Sequence, residues 1–414
     1  MAVDPGVGAQ LIGLSGRRDP FTLQVSAPSM MAAPDSTESV LELAEELQRT
    51  LLPALPPELF GAQIAFRYLP SNDITQVGGD WFDALALPGK RIGLVVGDVM
   101  GHGVASAAIM GQLRTAVQTL AFLGLPPDEL MRHLDEGARR LSDTHLATCL
   151  YGIYDPVSRR FTAANAGHPP PVLVRPGQGA RLVEMPSGVP IGVGGHAFGS
   201  IEFDLEDGDV LVFYTDGLVE CPNRDITEGL RLLCEILSDL DEPLERSCDV
   251  VMERMATGRY DDAALLMARF HGIGRDRVAG WALEPGPQAP GQARLLVRRT
   301  LARWGLTGPV ETAELLASEL VTNATRYASR PIGLRLLHTD TLTCECHDDN
   351  HNLPALSTDA GLSDSGRGLV LVNALADRWG ANRTDSGKVV WFELGAPGAV
   401  ADPPPFPPPH PNGA

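Results

Sequence analysis

The run Ile92-Gly93-Leu94-Val95-Val96-Gly97-Asp98-Val99-Met100-Gly101-His102-Gly103 joins an apolar stretch to a glycine-rich turn, with an aspartate at the junction. Its first half reads as a buried strand, so Asp98 is held at a strand end. Working outward, three more acidic motifs share the design: Val77-Gly78-Gly79-Asp80, Tyr214-Thr215-Asp216-Gly217 after the apolar Val210–Tyr214, and Tyr260-Asp261-Asp262. Each is read as placing a carboxylate at the end of an apolar run. Rigid carboxylates flanked by glycines that admit close approach suit hard divalent cations such as Mg²⁺ or Mn²⁺. A water shared by two such ions is acidified and becomes a nucleophile toward a phosphate ester. Any one Asp-Gly pair could simply cap a turn; four in one region favour a two-metal phosphohydrolase. A phosphodiesterase or nucleotide hydrolase would use the same carboxylates.

Composition bounds the partners. The chain has 414 residues, enough for two domains, and 44% hydrophobic residues, ample for packed cores. A formal net charge of −19 repels nucleic acid and anionic membrane surfaces, so neither is expected as a partner. The six cysteines include no Cys-x-x-Cys pair; Cys344 and Cys346 alternate along one strand and are expected on the same buried face. Neither a secretory signal nor an apolar run long enough to span a bilayer is read, and the expected location is cytoplasmic.

Residues 1–34 lack periodicity and read as disordered. A helix is expected over 35–57, opened by Asp35-x-x-Glu38 and striped by Val40, Leu43, Ala44, Leu47 and Leu51. It either packs on its own domain or serves as a regulatory or dimerising helix. Residues 58–270 mix many short strands with paired helices, without strict βαβ alternation, which predicts an α+β sandwich. Residues 271–292 read as a linker rich in Gly and Pro, 293–395 as a second α+β unit, and 396–414 as a disordered Pro-rich tail.

Gly79-Asp80, Gly97-Asp98-Val99-Met100-Gly101-His102-Gly103, Asn165-Ala-Gly-His168-Pro, Thr215-Asp216-Gly217 and Asp261-Asp262, in that order, resemble the metal-dependent serine/threonine protein phosphatases (the PPM family), in their SpoIIE-like branch. The resemblance implies a β-sandwich flanked by helices and two Mn²⁺ or Mg²⁺ ions roughly 3.5–4 Å apart. It makes Asp98 the bridging ligand, assisted by the carbonyl of Val99. Asp216 and Asp261 complete one metal and Asp80 binds the other, directly or through water; the role of Asp262 stays open. His102 and His168 either protonate a leaving seryl oxygen or only hydrogen-bond their loops. The second reading is favoured for both, and His102 is the better candidate for the first.

In the second unit, Glu319 and Asn323 lie four apart in a predicted helix and so share a face. A carboxylate and a carboxamide on one face can hold Mg²⁺ beside a nucleotide phosphate. Glycines opening a helix, as in Gly366-Arg367-Gly368, can bind phosphate through backbone N–H groups. An amphipathic core helix followed by an ordinary turn is the bland alternative. Together with Asp348, these motifs resemble the GHKL ATPase fold, closest to anti-sigma-factor serine kinases. That resemblance implies Mg²⁺–ATP, with Asn323 on Mg²⁺, Glu319 activating the attacking hydroxyl, Asp348 reading adenine, and Gly366 and Gly368 shaping the phosphate lid. One departure is Asn350, where the family has glycine.

The function implied is a phosphatase that acts on a phosphorylated anti-sigma-factor antagonist in partner switching, with a kinase-like ATP-binding domain. A sigma factor and a second copy of the chain are further partners it allows. The alternative is an anti-sigma adaptor whose GHKL domain sequesters a partner without catalysis.

Overall fold

The computed structural model describes residues 59–70, 78–101, 103–141, 146–186, 188–239, 243–255, 261–354, 367–384 and 386–395. The helix expected over 35–57 and both chain ends fall outside these residues.

Short alternating strands build the first domain. One five-stranded sheet orders β1 (Ala62–Leu69), β10 (Ala263–Phe270), β9 (Val210–Tyr214), β6 (Val172–Arg175) and β7 (Gly179–Leu182); the other orders β2 (Asp80–Ala86), β3 (Ile92–Val99), β4 (Ala147–Asp155), β5 (Arg160–Ala166) and β8 (Ser200–Asp204). Every strand pair in both sheets is antiparallel. Their inner faces meet through Phe82, Leu94, Val96, Leu150 and Phe161 of one sheet and Ile64, Leu211, Phe213, Leu266 and Phe270 of the other. Each fully buried aromatic here is worth about 2–3 kcal/mol of burial.

The outer faces are covered by helices. α1 (Val104–Phe122) and α2 (Pro127–Leu141) pack Met110, Leu113, Val117, Leu130 and Leu134 onto the β2–β3–β4 face. The short α3 (Asp216–Val219), with α4 (Ile226–Ser238) and α5 (Leu244–Met255), covers the β9–β10 face. The result is the helix–sheet–sheet–helix form of the predicted sandwich.

The stretch read as a linker is a correction. Val278–Leu283 forms β11, and α6 (Ala289–Trp304) begins inside it. β11 pairs with β12 (Ile332–His338), so its apolar positions complete the second sheet rather than a loose tether. That sheet orders β11, β12, β13 (Thr341–Asp348), β15 (Gly387–Gly395) and β14 (Arg378–Thr384). α6, α7 (Val310–Thr325) and α8 (Arg367–Leu375) cover one face of it. Along β15, Val390, Phe392 and Leu394 point to the helices and join Cys344 and Cys346 in their core; all six cysteines are free thiols.

The opposite face of this sheet packs on the first domain. Lys90 reaches Asp340 at 3.0 Å and Glu393 at 3.7 Å, and Asn382 Nδ2 donates to the Phe122 carbonyl at 2.7 Å. Among the described residues no helix is long and apolar enough to cross a membrane.

Candidate active site

Antiparallel pairing explains how four distant aspartates meet at one edge of the sandwich. In the β2–β3 pair, Asp80 opens β2 directly opposite Asp98, one residue before the end of β3. On the other sheet, Asp216 follows the end of β9 and Asp261 precedes β10, its antiparallel neighbour. The reading that every carboxylate ends a strand therefore needs correction. Asp98 and Asp216 lie at strand exits, Asp80 and Asp261 at entries, and antiparallel neighbours bring exits and entries together.

Glycines keep the edge open. A side chain at Gly79 would stand 2.3 Å from the Val99 carbonyl oxygen and 3.2 Å from Asp98 Oδ1. The turn after Asp98 passes through Gly101 and Gly103 at φ of 92° and 93°, a region that L side chains avoid. His102, between them, lies outside the described residues.

The electrostatics are those of crowded acids. Burial, then the charges of Asp98 and Asp262, raise the Asp80 carboxyl well above its usual range. Burial, then Asp216 and Asp261, push Asp98 up to about 7. Burial and Asp261 raise Asp216 as well. The leading charges acting on each are other carboxylates, an arrangement that cations would relieve. The hard oxygen donors of Asp80, Asp98, Asp216, Asp261 and the Val99 carbonyl thus fit Mg²⁺ or Mn²⁺. Among the described residues no three or more His, Cys, Asp or Glu side chains are already gathered as a metal-holding group.

Around them lies a hydrogen-bond scaffold. Thr215 donates its hydroxyl to Asp80 Oδ2 at 2.6 Å and accepts from the Ala264 N–H at 2.9 Å. His168 is buried, with Nε2 2.9 Å from the Tyr214 carbonyl and Nδ1 2.8 Å from the Thr148 hydroxyl. A carbonyl only accepts, so Nε2 carries the proton and Nδ1 accepts from Thr148. Burial lowers this imidazole to about 4. Both ring nitrogens are engaged, which leaves His168 no free proton for a leaving group. Its partners lie on β4 and β9, beyond its own loop. The sequence reading gave Thr215 and Thr148 no role; the only signal was the position of Thr215 beside Asp216.

In the second domain, α7 carries Glu319 and Asn323 on one face, and both line a small cavity with Thr322, Arg326, Gly368 and Leu369. Gly368 is close-packed there: a Cβ would lie 2.7 Å from Glu319 Oε2. Gly366 lies outside the described residues. Asp348 is not among the residues lining that cavity. Its Oδ1 pairs with buried Lys388 at 2.7 Å and accepts the Asn350 N–H at 2.9 Å. The donors of Glu319 and Asn323 fit a Mg²⁺ ion, whereas one oxygen of the expected adenine reader is already held by a lysine.

The family described as Stage II sporulation protein E (SpoIIE) matches residues 88–271, and the histidine kinase-like ATPase domain matches residues 283–394. The crystal structure of the RsbU and RsbW domains of Rv1364c from Mycobacterium tuberculosis is 30% identical, with a TM-score of 0.51, and the match covers 84% of this chain and 96% of that one. The chain belongs to the family that joins a SpoIIE-type phosphatase domain to a histidine kinase-like ATPase domain. The first domain is accordingly a PPM-type serine/threonine phosphatase domain, and the second is kinase-like. Phosphoserine phosphatase RsbU of Bacillus subtilis is 24% identical over 239 residues, 56% of this chain and 70% of that protein. Phosphoserine phosphatase RsbP of the same organism is 31% identical over 198 residues, 45% of this chain and 46% of RsbP. This SpoIIE–ATPase chain therefore spans under half the length of RsbP.

Proposed function

We propose that the chain removes phosphate from a serine or threonine of a phosphorylated anti-sigma-factor antagonist, using two Mn²⁺ or Mg²⁺ ions held by Asp80, Asp98, Asp216 and Asp261. The observation that supports this most is the facing of Asp80 and Asp98 beside the Asp216–Asp261 pair at one sandwich edge. Asp98 would serve both ions, with the Val99 carbonyl as a further ligand. When bound, the ions supply Lewis acidity and a nucleophilic water at neutral pH. The chain's own part is to gather four carboxylates at one edge and aim them, with glycines leaving room for a phosphoryl group. His168 acts in this scheme as scaffold rather than acid. The scheme needs no cysteine nucleophile, and burial raises Cys149 and Cys248 above the usual thiol range, away from the thiolate form.

The second domain would bind the same class of antagonist, with Asn323 holding the Mg²⁺ of a bound nucleotide and Glu319 beside it to activate an attacking hydroxyl. An adaptor role for that domain is favoured by one observation: Asp348 is tied to Lys388, which leaves less of its carboxylate for adenine. The separating experiment is paired: phosphate release from a phosphoserine antagonist with and without Mn²⁺, and ATP binding by calorimetry. Metal-dependent release with no ATP binding would leave the phosphatase standing and make the second domain an adaptor.

A further inference from the structure

Two sheets supply the metal ligands, and something must hold them in register across the sandwich edge. Asp80 and Asp98 belong to the β2–β3 sheet; Asp216 and Asp261 flank the β9–β10 sheet. Like charges at this edge push the two pairs apart when no cation lies between them. Thr215 is fully buried and sits where the sheets meet. Its N–H binds the Ala264 carbonyl and its hydroxyl oxygen accepts the Ala264 N–H, so the residue is fixed to β10 from both sides. Because a backbone donor already occupies one side of that oxygen, its single proton is directed elsewhere, and it points at Asp80 Oδ2, 2.6 Å away. A second tie runs nearby, from Thr148 on β4 through His168 to the Tyr214 carbonyl.

We propose that Thr215 is a positioning residue for the metal centre, which pins Asp80 of one sheet to the strand ends of the other and fixes how its carboxylate is presented to a metal. The inference rests on the metal-centre reading of the four aspartates. Thr215 touches no reacting atom and acts through Asp80. Outer partners of metal ligands typically contribute about 10–100-fold in metal affinity, and a similar loss is expected here.

The test is Mn²⁺ affinity by titration calorimetry on the full chain, for wild type, Thr215→Val, Thr215→Ser and Thr215→Ala. Valine keeps the shape and removes the hydroxyl; serine keeps the hydroxyl. Mn²⁺ affinity in Thr215→Val should fall about 10–100-fold, and Thr215→Ser should restore most of it. With a phosphoserine protein as substrate, activity should recover as Mn²⁺ is raised while KM for the protein stays unchanged. Should the valine variant not fold, the smaller Thr215→Ala carries the comparison with serine. Equal Mn²⁺ affinity in wild type and the hydroxyl-free variant, or no rescue by serine, would overturn the inference. A wild type that binds no Mn²⁺ would overturn the metal-centre reading itself.

Discussion

At the scale of single residues, the site is a balance between burying acids and giving them partners. Asp98 shares that tension with Asp80: Asp216 and Asp261 act on it after desolvation, as Asp98 and Asp262 act on Asp80. Replacing it with asparagine removes one charge from the cluster. Without metal, Asp98→Asn should unfold at a temperature a few degrees above wild type, because roughly 1–2 kcal/mol of like-charge strain is relieved. Adding Mn²⁺ should raise the wild-type midpoint and leave the variant's unchanged; a calorimetric scan of both proteins checks each half. His168 gives a pH prediction. Its imidazole is lowered from 6.5 to about 4, so it is buried neutral. Its contribution is fully present above the unfolded value near 6.5 and is lost as pH falls toward 4. The shift corresponds to about 3 kcal/mol. Between pH 6.5 and 4, wild type should therefore lose more stability than His168→Gln, read as the difference between their urea midpoints. These residue-scale roles were half legible in the sequence. The four aspartates announced themselves by their glycines and apolar flanks. Thr215 did not, because a hydroxyl acquires its role only from what lies across the sheet interface.

At the scale of elements, periodicity carried the prediction furthest where one face alone is buried. The helices Val104–Phe122, Pro127–Leu141 and Leu244–Met255 each bury one face, with Met110, Leu113 and Val117, Leu130 and Leu134, and Cys248, Val251 and Met252 at helical spacing. α4 starts where Asp225 caps the Glu228 N–H at 2.9 Å. Asp225→Ala should cost about 1 kcal/mol, measured as a lower denaturant midpoint with unchanged slope. Strands fared less well when their signal was mixed. β14, Arg-Trp-Gly-Ala-Asn-Arg-Thr over Arg378–Thr384, has no clean alternation, since it is an edge strand with Asn382 and Trp379 serving different neighbours. β11 was hidden by surrounding Gly and Pro residues, although Ala282 and Leu283 do pair into the sheet opposite Gly333 and Ile332. Cys344 and Cys346, by contrast, follow the period of two and share one buried face as expected.

At the scale of the whole molecule, the two domains meet through polar contacts that a sequence cannot foretell. Asn382 is buried and bridges them: Nδ2 donates to the Phe122 carbonyl at the end of α1, and Oδ1 accepts from Trp391 Nε1 at 2.9 Å. Asn382→Ala leaves the part-buried Phe122 carbonyl and the buried Trp391 indole N–H without this partner, the latter at about 1–3 kcal/mol. Hydrogen exchange should then accelerate at both β14 and the last turn of α1. Acceleration confined to the ATPase domain would mean that the contact across the junction contributes nothing. The acidic charge of −19, by comparison, was legible at once, and part of it is the site itself.

The measurement that bears most directly on the phosphatase reading is phosphate release from a phosphoserine antagonist protein, with and without Mn²⁺, by wild type and Asp98→Ala. Release that requires Mn²⁺ in wild type and falls by at least about 100-fold in the variant is the expected result. Equal release by the two proteins, or release indifferent to Mn²⁺, would contradict a two-metal site built on Asp98.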